Sequence, residues 1–293
     1  MILLDGKEYA QEQYHILQGR IDKLDIKPKL VIFLIGNKSD SLLYTNMKMK
    51  KCKKLGLEAE RIIYPCDSYE NITNLELTKL VKEIQDNIHQ YNMDRTVHGI
   101  MVQLPLPKPL KNYTQEILDC IISNKDVDGL TSQSLGLLSI GKPKFVSSTP
   151  KGALSLVDRY RIPIKGKNVT IIGNSPLVGI PLTLLLTQRG ATVTVCHIDT
   201  IDTRKHCLRA DIIFSCCGVG HLIKNNWVKE GAAVIDIGIT VRESPFSKNK
   251  IVIGDCDFMS VKDKVKYITP VPGGIGPMTI YTLIEQLVES AER

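Results

Sequence analysis

The 293-residue chain is 43% hydrophobic and 24% charged, a composition that suits one large or two ordinary soluble domains and excludes a disordered chain. Its formal net charge of +7 comes from scattered lysines interleaved with acids, and aromatic residues make up only 5%, which excludes a stacking platform for nucleic acid and suits an enzyme that steers anionic ligands. No apolar stretch approaches the roughly 20 residues that span a bilayer, and the opening Met1-Ile2-Leu3-Leu4-Asp5-Gly6-Lys7 has no secretory pattern, so a cytoplasmic setting is expected.

Short apolar runs alternate with helical stretches, the signature of an α/β fold with a largely parallel sheet. Residues 30–35 predict a buried strand ending at Gly36, and 39–55 a helix. That helix carries the basic run 48–54, which reads as a solvated face. Residues 75–91 space Leu77, Leu80, Val81, Ile84 and Ile88 as an amphipathic helix. The strand 97–103 stops at Leu104-Pro105-Leu106-Pro107-Lys108-Pro109, where the prolines cannot continue a ladder. The periodicity breaks around 140–150, at Gly141-Lys142-Pro143 and Ser147-Ser148-Thr149-Pro150, which marks a domain boundary. A second series follows: strand 169–172, turn 173–179, helix 180–188, then strands 192–196, 211–216 and 233–237. Residues 251–253 give one more apolar piece, and a last helix starts near Pro277. The eight cysteines form no Cys-x-x-Cys pair and no metal-like spacing with histidine, so no metal site is expected; the usage fits a reducing compartment. Cys216 and Cys217 read as buried small hydrophobes.

The turn Gly173-Asn174-Ser175-Pro176-Leu177-Val178-Gly179 sits between a strand and a helix, where backbone N–H groups can face a dinucleotide pyrophosphate. It lacks the Gly-x-Gly-x-x-Gly fingerprint, and spacing alone also fits a turn with no ligand. After the next strand, Cys196-His197-Ile198-Asp199 places an acid where it would accept from a ribose hydroxyl and repel a 2′-phosphate, favouring NAD over NADP. Asp199 fits equally as a cap of the following segment. Tyr44 and Lys48 share one helix face; Lys51 lies on nearly the same face, and spacing does not choose between the lysines. Gln103 ends a strand, and Asp126-Val127-Asp128-Gly129 makes an acidic turn.

Taken together, Ser41-Leu42-Leu43-Tyr44 with Lys48, Val97-His98-Gly99-Ile100-Met101-Val102-Gln103-Leu104-Pro105-Leu106-Pro107, Lys125-Asp126-Val127-Asp128-Gly129, Thr149-Pro150-Lys151-Gly152 and Ile268-Thr269-Pro270-Val271-Pro272-Gly273-Gly274-Ile275-Gly276-Pro277-Met278-Thr279 closely resemble the bifunctional methylenetetrahydrofolate dehydrogenase/methenyltetrahydrofolate cyclohydrolase family, nearly end to end. The resemblance implies two α/β domains with a cleft between them: a folate-binding catalytic domain over 1–145, rejoined by helix 277–293, and a Rossmann-like NAD(P)-binding domain over 146–276. It implies oxidation of methylenetetrahydrofolate with NADP or NAD, hydrolysis of the methenyl product, a homodimer, and a place in the one-carbon supply to purine biosynthesis. Lys48 would be the acid/base of hydrolysis, its pKa lowered by burial and by Lys50, Lys51 and Lys53. Gln103 would orient it, Tyr44 would pack on the aminobenzoyl ring, and Asp128 would take the pterin. Val102, Leu104, Gly273, Gly274 and Pro277 would complete the folate contacts. Gly173, Asn174, Ser175, Val178, Gly179, Ile198, Asp199 and Ile239 would meet the cofactor.

The chain departs from the family's pattern at Asn174, where arginine is usual, at Ile198-Asp199, where serine is frequent, and at Ser147-Ser148 in place of Pro-Cys. The cofactor changes remove groups suited to a 2′-phosphate. They also raise an alternative, a folate- or nucleotide-binding paralogue with impaired turnover, which the intact Lys48 and Gln103 oppose. An NAD-dependent dehydrogenase of amino or hydroxy acids would account for the second half alone.

Overall fold

A computed structural model describes residues 1–65, 72–243 and 250–292, so Cys66 lies outside the described residues. Two compact units are present: residues 15–146 with 283–293, and residues 1–14 with 147–282. The first fourteen residues, expected with the folate-binding half, therefore belong to the unit formed by the second half of the chain. Their short strand pairs with Tyr267 and Ile268 of that unit.

The chain opens with strand β1 (Ile2–Leu3) and helix α1 (Gly6–Ile21). In β2 (Lys29–Ile35), Lys-Leu-Val-Ile-Phe-Leu-Ile buries every residue after the lysine, as a central parallel strand covered on both faces does. Helix α2 (Ser39–Lys54) leads to β3 (Glu58–Tyr64), and α3 (Asn74–Met93) to β4 (Val97–Val102). Thr73 caps α3 by accepting from the Glu76 N–H, while the Glu76 carboxylate accepts from the Thr73 N–H. The parallel sheet runs β3-β2-β4. Val31, Phe33 and Ile35 of β2 pack with Ile100 and Val102 of β4 and with Val81, Ile84 and Ile88 of α3. Strand β3 escapes the sequence pattern because Glu-Ala-Glu-Arg breaks the apolar run at the sheet edge.

Two short helices, α4 (Thr114–Leu118) and α5 (Ser132–Ser139), precede α6 (Ser148–Arg159). The segment read as a break at 147–150 is the start of α6. Pro150 falls in its first turn, where the missing N–H costs no helical bond. Then come β5 (Asn168–Ile172), α7 (Gly179–Gln188), β6 (Thr192–Cys196), α8 (Thr203–Cys207), β7 (Ile212–Ser215) and β8 (Ala233–Asp236). Strands β9 (Thr240–Glu243) and β10 (Lys250–Ile253) pair antiparallel in a ribbon of their own, so 251–253 does not extend the main sheet. A turn of helix, α9 (Phe258–Val261), leads to β11 (Tyr267–Ile268) and the last helix α10 (Ile275–Ala291).

The six-stranded sheet runs β1-β11-β8-β7-β5-β6, all parallel. Numbered from β5, its strands follow the doubly wound order 2-1-3-4-5. In such sheets ligands bind beyond the carboxyl ends of the strands where the order reverses, here β5 and β7. Among the described residues, no helix is long and apolar enough to cross a membrane.

Candidate active site

Helix α2 buries Ser41, Thr45, Lys48 and Cys52, a single face spaced by four, three and four residues. The lysines of this helix differ in burial: Lys48 is 7% exposed, Lys51 is half-buried, and Lys50, Lys53 and Lys54 are exposed. Met101 and Gln103 alternate with the core residues Ile100 and Val102, and therefore point to the other side of β4. Gln103 lies one residue past the strand, yet its N–H continues the ladder by donating to the Phe33 carbonyl at 2.8 Å. The Lys48 Nζ donates to Gln103 Oε1 at 3.0 Å and to Met101 Sδ at 3.6 Å. The Gln103 amide is fixed from its other end, since Nε2 donates to the Leu104 carbonyl at 2.9 Å.

Burial is the largest influence on Lys48 and lowers its pKa, because an ammonium loses more hydration than an amine does. The charge of Asp128 and the Cys52 thiol oppose that shift. The neighbouring lysines, expected to push the same way as burial, are not among the causes; Lys50 and Lys53 are exposed and Lys51 is half-buried. Cys52 is itself pushed up to about 12 by burial, so it stays a thiol at neutral pH. Tyr44, one turn before Lys48, is half-buried, and its pKa is raised by burial and then by Asp40. The two acids of the 126–129 turn divide their tasks. Asp126 is 1% exposed and accepts from the Leu130 and Thr131 N–H groups and the Ser134 hydroxyl, a structural role, whereas Asp128 is the one whose charge reaches Lys48. Val102, expected as a folate contact, is 1% exposed within the core against α3, so its side chain is spent there. Leu104 packs partly buried against the same cluster.

In the other unit, the turn after β5 is built on glycine. Gly173 has φ +120°, and a Cβ there would lie 2.7 Å from the Cys216 carbonyl oxygen; a Cβ on Gly179 would lie 2.1 Å from the Gly173 carbonyl oxygen. The Val178 N–H donates to Ser175 Oγ, and the buried Ser147 hydroxyl donates to the Leu177 carbonyl at 2.6 Å. Ser147, a departure that sequence reading left without a role, thus braces this turn. Asn174 is exposed in the turn between β5 and α7, and Cys216, the residue after β7, reaches this turn by its Sγ contact with the Gly173 carbonyl. Ile198 and Ile239 are exposed after β6 and β8. Asp199 does not cap the next helix: Asp202 does, accepting from the Lys205 N–H. The Asp199 side chain is 84% exposed, 3.6 Å from His197 Nδ1. A strand-order reversal, a tight turn opening a ten-residue helix and a solvent-facing acid after the second strand fit a dinucleotide. Cys216 and Cys217 are half-buried rather than core: the Cys217 N–H and Sγ both contact the buried Asp255 carboxylate. Gly273, with φ +111°, and Gly274 lie in the turn into α10, and Pro277 is the third residue of that helix, all in this same unit. Among the described residues, no group of three or more His, Cys, Asp and Glu could hold a metal ion.

A doubly wound nucleotide-binding unit and a second α/β unit with a desolvated lysine held by a glutamine define a two-unit enzyme of cofactor-dependent and acid/base chemistry. The comparisons with known proteins agree. The tetrahydrofolate dehydrogenase/cyclohydrolase catalytic domain matches residues 4–128, and the NAD(P)-binding domain of the same name matches 147–293. A bifunctional protein FolD from Thermodesulfovibrio yellowstonii is 41% identical, over 99% of this chain and 96% of its own length; one from Methanosarcina mazei is 38% identical over the same shares. The crystal structure of the bifunctional enzyme FolD from Campylobacter jejuni, 38% identical, superposes with a TM-score of 0.89 over 100% of this chain and 99% of that one. The Trypanosoma brucei enzyme complexed with NADP cofactor and inhibitor, 29% identical, gives 0.90 over 100% and 97%. The chain belongs to the tetrahydrofolate dehydrogenase/cyclohydrolase family.

Proposed function

We propose that the protein oxidises 5,10-methylenetetrahydrofolate to the 5,10-methenyl form with NAD or NADP and hydrolyses that product to 10-formyltetrahydrofolate. The observation that carries this reading is the buried Lys48 amine, 3.0 Å from Gln103 Oε1, with its pKa lowered toward the range where it exchanges protons near neutrality. When bound, the nicotinamide supplies the hydride acceptor; N5 and N10 of the folate stabilise the cation left behind, so that step asks the protein chiefly for positioning. In the second step water adds to the methenyl carbon and gives a proton to neutral Lys48. The ammonium returns a proton to N5 as the carbon–N5 bond breaks, and the added hydroxyl loses its remaining proton to solvent, leaving formyl on N10. Gln103 holds the amine, Tyr44 offers a half-buried ring to the aminobenzoyl group, and Asp128 can accept paired N–H bonds from the pterin.

For the cofactor we favour NAD. Asp199 is solvent-facing and free of any capping duty, and the exposed Asn174 brings no positive charge to a 2′-phosphate. A cytoplasmic homodimer is the expected state, on the strength of the family resemblance. The test is to mix the purified protein with methylenetetrahydrofolate and NAD or NADP and follow the methenyl chromophore. It should appear and then decay faster than in buffer, with NAD at least as effective as NADP. Absence of both phases overturns the activity, and a strong NADP preference overturns the cofactor choice.

A further inference from the structure

We infer that Met101 is a positioning residue for Lys48: its sulfur and the Gln103 oxygen are two proton acceptors that engage both protons of the neutral amine and thereby aim its lone pair. The inference rests on the reading of Lys48 as the acid/base of hydrolysis. Met101 is 1% exposed and two residues before Gln103, so strand alternation puts both side chains on the face toward α2. Neither partner atom carries a proton: a thioether sulfur is a weak acceptor only, and the Gln103 amide is turned by its bond to the Leu104 carbonyl so that its oxygen meets the amine. A neutral primary amine has two N–H bonds and one lone pair at tetrahedral angles. With one N–H given to oxygen and the other to sulfur, the lone pair takes the remaining direction, and in the ammonium form the third proton occupies that same direction. Proton pickup and return then share one line.

The choice of sulfur has a second consequence. An oxygen acceptor in its place would hold the ammonium more strongly, whereas a thioether orients the amine while favouring its charge only slightly. The other groups facing Lys48 are the Asp128 carboxylate, which favours the charged form, and the Cys52 thiol on the same helix face. Both stay in place when Met101 is changed.

The test uses the full chain and methenyltetrahydrofolate hydrolysis, read as chromophore loss across a pH series. Met101→Leu conserves volume and removes the acceptor, a swap that cores usually tolerate. Its kcat should fall roughly three- to tenfold, the worth of one weak hydrogen bond, with KM nearly constant. The limb of the pH profile due to Lys48 should move to lower pH, because the acceptor favoured the ammonium. Protein made with norleucine, the sulfur-free linear isostere, should reproduce the loss, and protein made with selenomethionine, which keeps the acceptor, should not. Wild-type kcat and pH profile in both Met101→Leu and the norleucine protein would overturn the inference. So would a change confined to KM, or an equal loss in the selenomethionine protein, either of which is a packing effect. Failure of the functional reading looks different: the unaltered protein would itself leave the chromophore intact.

Discussion

Replacing Lys48 with methionine separates the chemistry of the site from its structure. Methionine keeps the apolar stem that α2 buries and deletes the amine. Two structural effects oppose each other: no ionisable group needs drying, and Gln103 Oε1, in a side chain only 9% exposed, loses its donor. An orphaned buried acceptor costs about 1–3 kcal/mol, and relief of amine desolvation offsets part of it, so the net change in stability stays within about 2 kcal/mol. Rate behaves differently. A positioned general acid/base contributes roughly 100- to 10,000-fold, or about 3–5 kcal/mol of barrier. Lys48→Met should therefore lose hydrolysis by at least about 100-fold with only a small shift in thermal midpoint. The assay is decay of the methenyl chromophore, read beside thermal unfolding. Gln103→Leu, acting through the same amine, should lower the rate on its own and add little in the Lys48→Met background, since residues that act as a unit are not additive. Hydrolysis kept within about threefold in Lys48→Met, or full additivity of the two losses, would refute this account of the site.

Two further predictions concern the other unit. Asp199→Ser removes an exposed charge; one unit charge at about 4 Å in water is worth about 1 kcal/mol, and a phosphate carries nearly two, so the kcat/KM ratio should shift toward NADP by roughly ten- to thirtyfold. A ratio unchanged by the substitution would show that Asp199 does not face the ribose. Asp236, 2% exposed, is pushed up to about 7 by burial. The unfolded chain releases that proton near pH 4 and the folded one only near pH 7, so this residue makes stability fall as pH rises between those values, by an amount on the order of 4 kcal/mol, and contributes no slope above them. Thermal midpoints from pH 4 to 8 should drop less steeply in Asp236→Asn than in the unaltered protein, even though the amide repels one of the backbone N–H donors that the carboxylate accepts; parallel slopes would exclude Asp236 as the source.

The alternation of strands and helices was legible because each central strand is buried on both faces and reads as an apolar run. What escaped are elements that such runs do not mark. Strands β1 and β11 are two residues long, too short for any periodicity, and β3 carries Glu-Ala-Glu-Arg along a sheet edge. The choice of Lys48 over Lys51 looked undecidable from spacing, yet a signal was present: Ser41, Thr45 and Cys52 fall seven and three residues before Lys48 and four after it, small or apolar enough to be buried, whereas the same offsets from Lys51 include Tyr44 and Leu55 but also Lys48 itself. Asp199 remained ambiguous because only the register of α8 shows that Asp202 takes the cap. Met101 was hidden by its motif: within an apolar strand a methionine reads as core, and only the position of the helix opposite gives its sulfur a partner.

That partnership depends on strand register. Lys29 pairs with Val97, but Leu30 pairs with Gly99, so His98 is an extra residue on β4 opposite β2. Side chains alternate faces along a strand, so a one-residue slip exchanges the two sets. Beyond His98 the alternation sends Ile100 and Val102 into the core against α3 and sends Met101 and Gln103 toward α2. With the opposite register, Ile100 and Val102 would face Lys48 and offer it no acceptor, while the amide of Gln103 would enter an apolar core without a partner. Both faces would suffer at once. The same packing that stabilises the sheet thereby fixes which side chains reach the amine, and the site's geometry follows from the core rather than from a loop.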